Sequence, residues 1–378
     1  MRIGLFCDMY TPHVSGVTNH IRLYKRYFEQ QGHEVFVFTF GNNEHADDEP
    51  HVIRTRGFEW GETGWNASPL FGSKAKKLIP SLDIAHVHHP FQSGQLLIPF
   101  ANKYDIPLVF TNHTRYDLYS DAYASFVPPT IRYGYLRMAL SRFLCQCALV
   151  ITPSQSISQW LAGFVQYWYA TVIPNGIDVD AFAKPSVSLC RADLGLDDEA
   201  LVFCYVGRIA SEKNALYLLE EFASVATRLP HAQLLMVGGG TDYEKARQYI
   251  HDNGLEGRVV CAGVQPYHLL PAYEHLANVF VTGSISEVHP LAVMEALATG
   301  LPIVAIDSPG IRETVLHDTN GLLAARIAPG ALADNMMLLA NDSTLRAKLV
   351  EGAQETISHY TLTKTAGRVL AEYERMLA

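Results

Sequence analysis

Residues 279–306 read VFVTGSISEVHPLAVMEALATGLPIVAI. Val279 to Thr282 and Ile303 to Ile306 are short apolar runs rich in β-branched residues, and both predict strands. Between them a tight loop leads into a short apolar helix, with Pro290 suited to its first turn and Gly300 and Pro302 closing it. Strand, loop, helix, strand is the repeating unit of a parallel sheet. Two glutamates, Glu287 and Glu295, stand eight residues apart in this unit. On one helix they would lie about 80° apart, but Glu287 precedes the helix and Glu295 lies inside it, so they can meet different parts of one ligand. Glu295 is also the only charge between Leu291 and Leu301, which an ordinary solvent-facing helix would not show.

The same alternation extends in both directions. Upstream in the second half, strands are predicted at Leu201 to Val206, Gln233 to Val237 and Val259 to Ala262. In the first half they are predicted at Ile3 to Cys7, Val35 to Phe40, Ile84 to His88, Leu108 to Asn112, Leu149 to Thr152 and Thr171 to Ile173. A helix from about Val17 to Gln31, stopped by Gly32, is typical of the segments between. The turn-forming cluster Pro174-Asn175-Gly176-Ile177-Asp178 separates the two series. The expected organisation is therefore an N-terminal domain at 1–173, a C-terminal domain at 174–360, and a terminal helix at 361–378 packing back on the first domain. Ligands of such sheets sit beyond the carboxyl ends of the strands.

At 378 residues, 48% hydrophobic and 18% charged, the chain can bury two cores. The formal charge of −9 excludes a sequence-independent grip on nucleic acid. Residues 1–170 hold 14 Lys+Arg against 13 Asp+Glu, and the remainder 15 against 25, so the halves carry +1 and −10. Only the first can approach an anionic surface without general repulsion. Six scattered cysteines read as small thiols, mostly buried, in a reducing compartment. No apolar run reaches the ~18 residues that span a bilayer, and Ile3 to Cys7 is too short for a signal segment. A cytoplasmic protein is expected.

Val206-Gly207-Arg208 followed by Ser211-Glu212-Lys213-Asn214 opens the second domain's first helix. Arg208 and Lys213 at a strand-to-helix loop can neutralise the charge that builds on a departing diphosphate without a metal. A lysine near a helix N-terminus opposes the macrodipole, so an ordinary basic loop leaves Lys213 unexplained. Gly16, opening a helix after the first strand, lets backbone N–H groups approach an anion, although an ordinary loop glycine reads the same way. No G-x-G-x-x-G follows that strand, which argues against a dinucleotide oxidoreductase.

With these motifs in order, the chain resembles the retaining family 4 glycosyltransferases, whose E-x7-E signature matches Glu287 and Glu295. The resemblance covers nearly the whole chain: the loop with Gly16, the 174–178 linker, Gly207-Arg208 with Lys213, Gly238-Gly239-Gly240, Gly263-Val264, the glutamate pair and Asn320-Gly321. It implies an α/β protein of the GT-B fold, with two facing doubly wound Rossmann-like domains and an interdomain cleft. It further implies a nucleoside-diphosphate sugar as donor, UDP-glucose favoured, with no cofactor and no metal, and retention at the anomeric carbon. Arg208 and Lys213 would bind diphosphate, Glu295 the ribose hydroxyls, Glu287 the donor sugar, Val264 and Gly238 the nucleotide, and the Gly16 amide a phosphate. His113 would lie beside the donor sugar. Glu287-Val288-His289-Pro290-Leu291 replaces the family's usual E-G-F-G-L loop, so His289, Pro290 and Leu291 would line the sugar site without a Pro290 N–H donor.

Asn112-His113-Thr114-Arg115-Tyr116-Asp117 is similar to the stretch found in the branch that glycosylates diacylglycerol. That likeness implies a lipid acceptor at a membrane surface, met by Asp8, Tyr10, His113, Arg115 and Tyr116. A helix from about Thr130 to Cys145 carries Arg132, Arg137 and Arg142, but at about 100° per residue these spread around its axis, which favours an ordinary surface helix over a membrane-binding face. His86 and His88 share a strand face, His89 does not, and no third metal ligand is evident, so strand-end histidines lining the cleft are expected. A nucleotide-sugar epimerase of the same fold, a transferase acting on a soluble acceptor, and a non-catalytic nucleotide-sugar binder are the alternatives. The oligomeric state is open.

Overall fold

The computed structural model describes residues 1–13, 15–41, 49–59, 65–123, 126–165 and 170–378. The chain divides into two compact units, Met1–Gly176 with Leu362–Ala378, and Ile177–Thr361. The first is built on strands β1 (Arg2–Phe6), β2 (Glu34–Phe40), β3 (Val52–Thr55), a small antiparallel pair β4 (Phe58–Glu59) and β5 (Asn66–Ala67), then β6 (Ile84–Val87), β7 (Leu108–Thr111), β8 (Leu149–Thr152) and β9 (Thr171–Val172). The second holds β10 (Leu201–Val206), β11 (Ala232–Val237), β12 (Val259–Gly263), β13 (Val279–Thr282), β14 (Ile303–Ile306) and β15 (Gly321–Ala324).

Each unit has one sheet whose paired strands are all parallel. The orders are β3-β2-β1-β6-β7-β8-β9 and β12-β11-β10-β13-β14-β15. Strands such as Ile84–Val87 and Val279–Thr282 are buried at every position, as a parallel sheet covered on both faces requires. Both sheets are doubly wound and Rossmann-like, with the reversal between β1 and β6 in one and between β10 and β13 in the other. The edge strands β3 and β15 were not predicted.

Helix Gly16–Gln30 shows how the covering layers form. Ser15 caps it by accepting from the Thr18 N–H at 3.2 Å, and Gly32, at φ 84°, turns the chain away at its end. Its face Ile21, Tyr24 and Phe28 is buried against β1, β2 and the C-terminal helix Leu362–Leu377. That terminal helix contributes Ala366, Val369 and Tyr373 to the same core. The chain enters and leaves the second unit side by side, through a parallel bridge between Ile177 and Thr361.

The thiols divide: Cys7, Cys147 and Cys204 are buried, Cys261 is half-buried, but Cys145 and Cys190 are exposed. The expectation of buried cysteines therefore fails at two positions, both outside the strands.

Candidate functional site

In the second unit the loops after β10 and β13 flank the crevice at the point of reversal, where open α/β sheets bind ligands. Three hydrogen bonds join these loops. Lys213 Nζ donates to Glu287 Oε1 at 2.7 Å, Asn214 Nδ2 to the Gly283 carbonyl at 2.9 Å, and Ser286 Oγ to the Glu212 carbonyl at 2.9 Å. The Arg208 guanidinium lies 2.8 Å from Glu212. Burial alone would raise the Glu287 carboxyl, but the Lys213 ammonium and its hydrogen bond, with help from the Arg208 charge, hold it below the ordinary carboxylate range. Arg208, Lys213 and Glu287 are thus brought together, with Glu287 ionised.

Two glycines make this packing possible. At Gly238, in the loop after β11, a Cβ would sit 1.9 Å from the Gly207 carbonyl oxygen, so the loop after β11 lies directly against the loop after β10. At Gly310, in the short helix Pro309–Arg312 after β14, a Cβ would sit 2.0 Å from the Glu287 carbonyl oxygen. Neither approach leaves room for a methyl group.

Glu295 has different neighbours. It is buried in helix Leu291–Thr299, and Tyr267 donates its hydroxyl proton to Glu295 Oε1 at 2.8 Å. Burial lifts its carboxyl to about 7, against the opposing effect of the Tyr267 hydrogen bond. Glu274, fully buried beside it and 2.7 Å from the Thr299 hydroxyl, is raised well above the ordinary range by burial and by the Glu295 charge. Val264, after β12, is 69% exposed, an apolar surface on the loop where a base was expected. His289 is buried and its ring packs 5.4 Å from that of Tyr360; burial lowers it to about 4. Pro290 caps helix Leu291–Thr299 from outside its first turn, and Leu291 is the first helical residue.

In the first unit the corresponding loops, after β1 and β6, carry Asp8 and His88-His89. Asp8 Oδ1 accepts from the Ser93 N–H at 2.8 Å, and its own N–H donates to His89 Nδ1 at 3.1 Å. Tyr10 is buried and donates to Glu49 at 3.0 Å. Arg115 grips Asp117 through two hydrogen bonds and lies 5.0 Å over the Trp160 ring. Tyr116 is buried edge-on to Phe91. Asp8, Tyr10, Arg115 and Tyr116 are thus each held by different neighbours, and Gly16 is the first residue of its helix behind the Ser15 cap.

Histidines fill the space between these loops. His86 is sealed in, one ring nitrogen on the Tyr373 hydroxyl and the other 2.7 Å from Thr111 Oγ1. His88 Nδ1 and His113 Nε2 share a hydrogen bond of 2.9 Å, and the His20 ring stands 4.7 Å from that of His113. Burial, and then the proximity of the other rings, push His86, His88 and His113 well below the ordinary imidazole range, so all three are neutral.

Residues 14–181 match the profile of Glycosyltransferase Family 4, and residues 188–356 that of Glycosyl transferases group 1. The chain is a GT-B glycosyltransferase. It is 29% identical to an alpha-monoglucosyldiacylglycerol synthase of Streptococcus pneumoniae, over 94% of this chain and 83% of that protein. The same enzyme of Acholeplasma laidlawii is 28% identical over 80% of each chain. Among solved structures, sucrose-phosphate synthase from Thermosynechococcus elongatus superposes with a TM-score of 0.79 at 22% identity, covering 99% of this chain and 98% of that one. Anabaena HepE in complex with UDP and glucose superposes with a TM-score of 0.78 at 19% identity, covering 99% and 100%.

Two sequence readings of this glycosyltransferase need correction. His86 does not line an open cleft; it is fully buried with both nitrogens engaged. The group that does form keeps only His88 of the expected strand pair and adds two histidines from elsewhere in the chain: ligand atoms of His20, His88 and His113 lie within 4.8 Å of one another. His20 falls on the buried stripe of its helix with Ile21, Tyr24 and Phe28, so a polar residue on an apolar face was the signal available. Tyr267, Glu274 and Gly310 were also missed.

Proposed function

We propose that the chain transfers a hexose, glucose first, from a UDP-sugar to a hydroxyl of a membrane lipid such as diacylglycerol, with retention and without a metal. The observation that carries this reading is the Lys213–Glu287 pair with Arg208 beside it at the β10/β13 reversal. Two cations held in place before the donor arrives stabilise the pyrophosphate as the sugar bond breaks, with no reorganisation during the step. Glu287, kept ionised by Lys213, accepts hydrogen bonds from donor-sugar hydroxyls. Glu295 accepts from the ribose hydroxyls, and the apolar Val264 surface suits a base. His113 is neutral, so it orients hydroxyls as a donor or acceptor without adding charge. A leaving phosphate oxygen takes the acceptor proton on the face from which the diphosphate departs, which preserves the anomeric configuration.

The lipid acceptor is supported by the monoglucosyldiacylglycerol synthases among the relatives and by helix Pro129–Leu144. Its arginines spread around the axis, but Ile131, Tyr135 and Met138 fall within about 60° of arc and are each more than 60% exposed, with Phe126 at 86% just before them. An exposed apolar stripe with Arg142 in line one turn beyond it is a face for lying on an anionic bilayer. No helix among the described residues is long and apolar enough to cross a membrane; the association proposed is peripheral, through this exposed stripe, on the cytoplasmic side.

Purified protein given UDP-glucose and vesicles containing diacylglycerol is expected to release UDP and form an α-linked glucolipid, with chelator present. Transfer only to soluble sugars, or a β-linked product, overturns the reading. Interconversion of UDP-sugars without any acceptor would restore the epimerase instead.

A further inference from the structure

The histidine group of the first unit is more than packing requires. His20 comes from helix Gly16–Gln30, His88 from the loop after β6, and His113 from the loop after β7, so three separate elements deliver three imidazoles to one point. Their ligand atoms lie within 4.8 Å of one another. Four-coordinate zinc holds its nitrogens at ~2.0–2.1 Å and hence about 3.3 Å from each other. The 2.9 Å between His88 Nδ1 and His113 Nε2 is already near that spacing. His86, with both nitrogens committed to Tyr373 and Thr111, stacks on His88 at 4.3 Å and fixes the plane of that ring.

We propose that His20, His88 and His113 form a three-imidazole site for a divalent ion of the zinc class, and that an ion bound there holds sugar transfer off. Neutral imidazole nitrogens select zinc, cobalt or nickel over magnesium and calcium, which prefer oxygen. Binding replaces the His88–His113 hydrogen bond by two bonds to the ion and removes His113 from the substrate. The inhibitory part rests on the role proposed for His113 above; the metal site itself does not.

The experiment uses full-length protein stripped with a chelator and titrated with Co²⁺, read by the visible absorption of nitrogen-ligated cobalt and by competition with a chromophoric zinc chelator. One equivalent is expected, displaced by Zn²⁺ but not by Mg²⁺. His20→Gln and His88→Gln, checked for wild-type thermal stability, should each weaken binding at least tenfold. Absence of the cobalt bands from wild-type protein overturns the site without recourse to any variant, and so does binding unchanged in both variants. Transfer from UDP-glucose should fall with stoichiometric Zn²⁺ in wild-type protein and not in His20→Gln. Zinc bound at the trio with transfer undiminished overturns the inhibition. Chelator-treated protein that binds cobalt in this way but transfers no sugar to any acceptor supports the metal site and removes the proposed function instead.

Discussion

The two reversal points of this molecule occupy equivalent places in two similar sheets, yet they are made from opposite kinds of group. The crevice between β10 and β13 holds fixed charges in contact: Lys213 with Glu287, and Arg208 with Glu212. The space between the loops of β1, β6 and β7 holds imidazole rings, His20, His86, His88 and His113, of which His86, His88 and His113 are kept uncharged by burial. Buried charges must be paired, and pairs held in advance suit a ligand that is itself charged. Neutral imidazoles suit hydroxyl groups, whose protons they orient without demanding a counter-ion. Under the proposed function, the donor's diphosphate and the acceptor's hydroxyl would be matched to different units by charge.

Lys213→Ala breaks that contrast most severely. It removes one cation from the diphosphate site and leaves Glu287 without its partner, so kcat/KM for UDP-glucose should fall about 10³-fold, the scale of a lost charge stabiliser in a water-poor site. His88→Gln, which disturbs only neutral groups, should cost less than tenfold in metal-free buffer. Equal losses in the two variants would abolish the distinction between charged and neutral crevices.

Gly310→Ala tests whether the charged side depends on backbone placement as well as on side chains. The added methyl would lie 2.0 Å from the Glu287 carbonyl oxygen and 2.6 Å from its carbon, so the loop must move. A displacement near 1 Å at a reacting centre costs about 10² in rate. The expected result is a fall of that size in kcat, with UDP affinity changed less than threefold because Arg208 and Lys213 remain.

On the acceptor side, Ile131→Asp combined with Met138→Asp should reduce partition onto vesicles containing anionic lipid by about 30-fold, from the apolar burial that is lost. Slow hydrolysis of UDP-glucose in the absence of lipid should not change. Loss of both activities together would place the stripe in the fold instead of at a membrane.

Much of this was legible before any coordinates. Val279 to Thr282 and Ile303 to Ile306 were located to the residue, because buried parallel strands bounded by glycine and proline carry a local signal. Lys213 and Glu287, 74 residues apart in sequence, were assigned to one ligand through a family resemblance, and their direct 2.7 Å contact is a finding of the structure. Edge strands β3 and β15 were invisible because Val52–Thr55 offers only two apolar residues before Arg54 and Thr55, and Gly321–Ala324 opens on a turn dipeptide. The histidine trio was missed because strand alternation relates only His86 to His88, whereas His20 and His113 arrive through tertiary packing. Glu274 was missed because a lone glutamate in a short helix gives no sign that it is buried beside Glu295.

Glu287 and Glu295 repeat the contrast within one unit, since only the first has a cation for a partner. Glu295 is lifted from 4.5 to about 7 by burial, beside the Tyr267 hydroxyl and the buried Glu274 carboxyl. A carboxyl that holds its proton more tightly when folded costs nothing below the unfolded value. Stability is lost as pH rises from 4.5 toward 7, reaching about 3 kcal/mol above that range. Glu295→Gln should therefore be more stable than wild type at pH 8, with the difference shrinking steadily by pH 5 in urea titrations. Its KM for UDP-glucose should rise about tenfold at pH 8, where wild-type Glu295 is ionised and accepts from both ribose hydroxyls. Below pH 6 the wild-type KM should climb toward that of the variant. A Gln variant that is no more stable at pH 8 would mean that Glu295 is already relieved by water or by a cation. The difference between the two glutamates would then lie only in what each touches, and not in the energy spent to keep one of them ready.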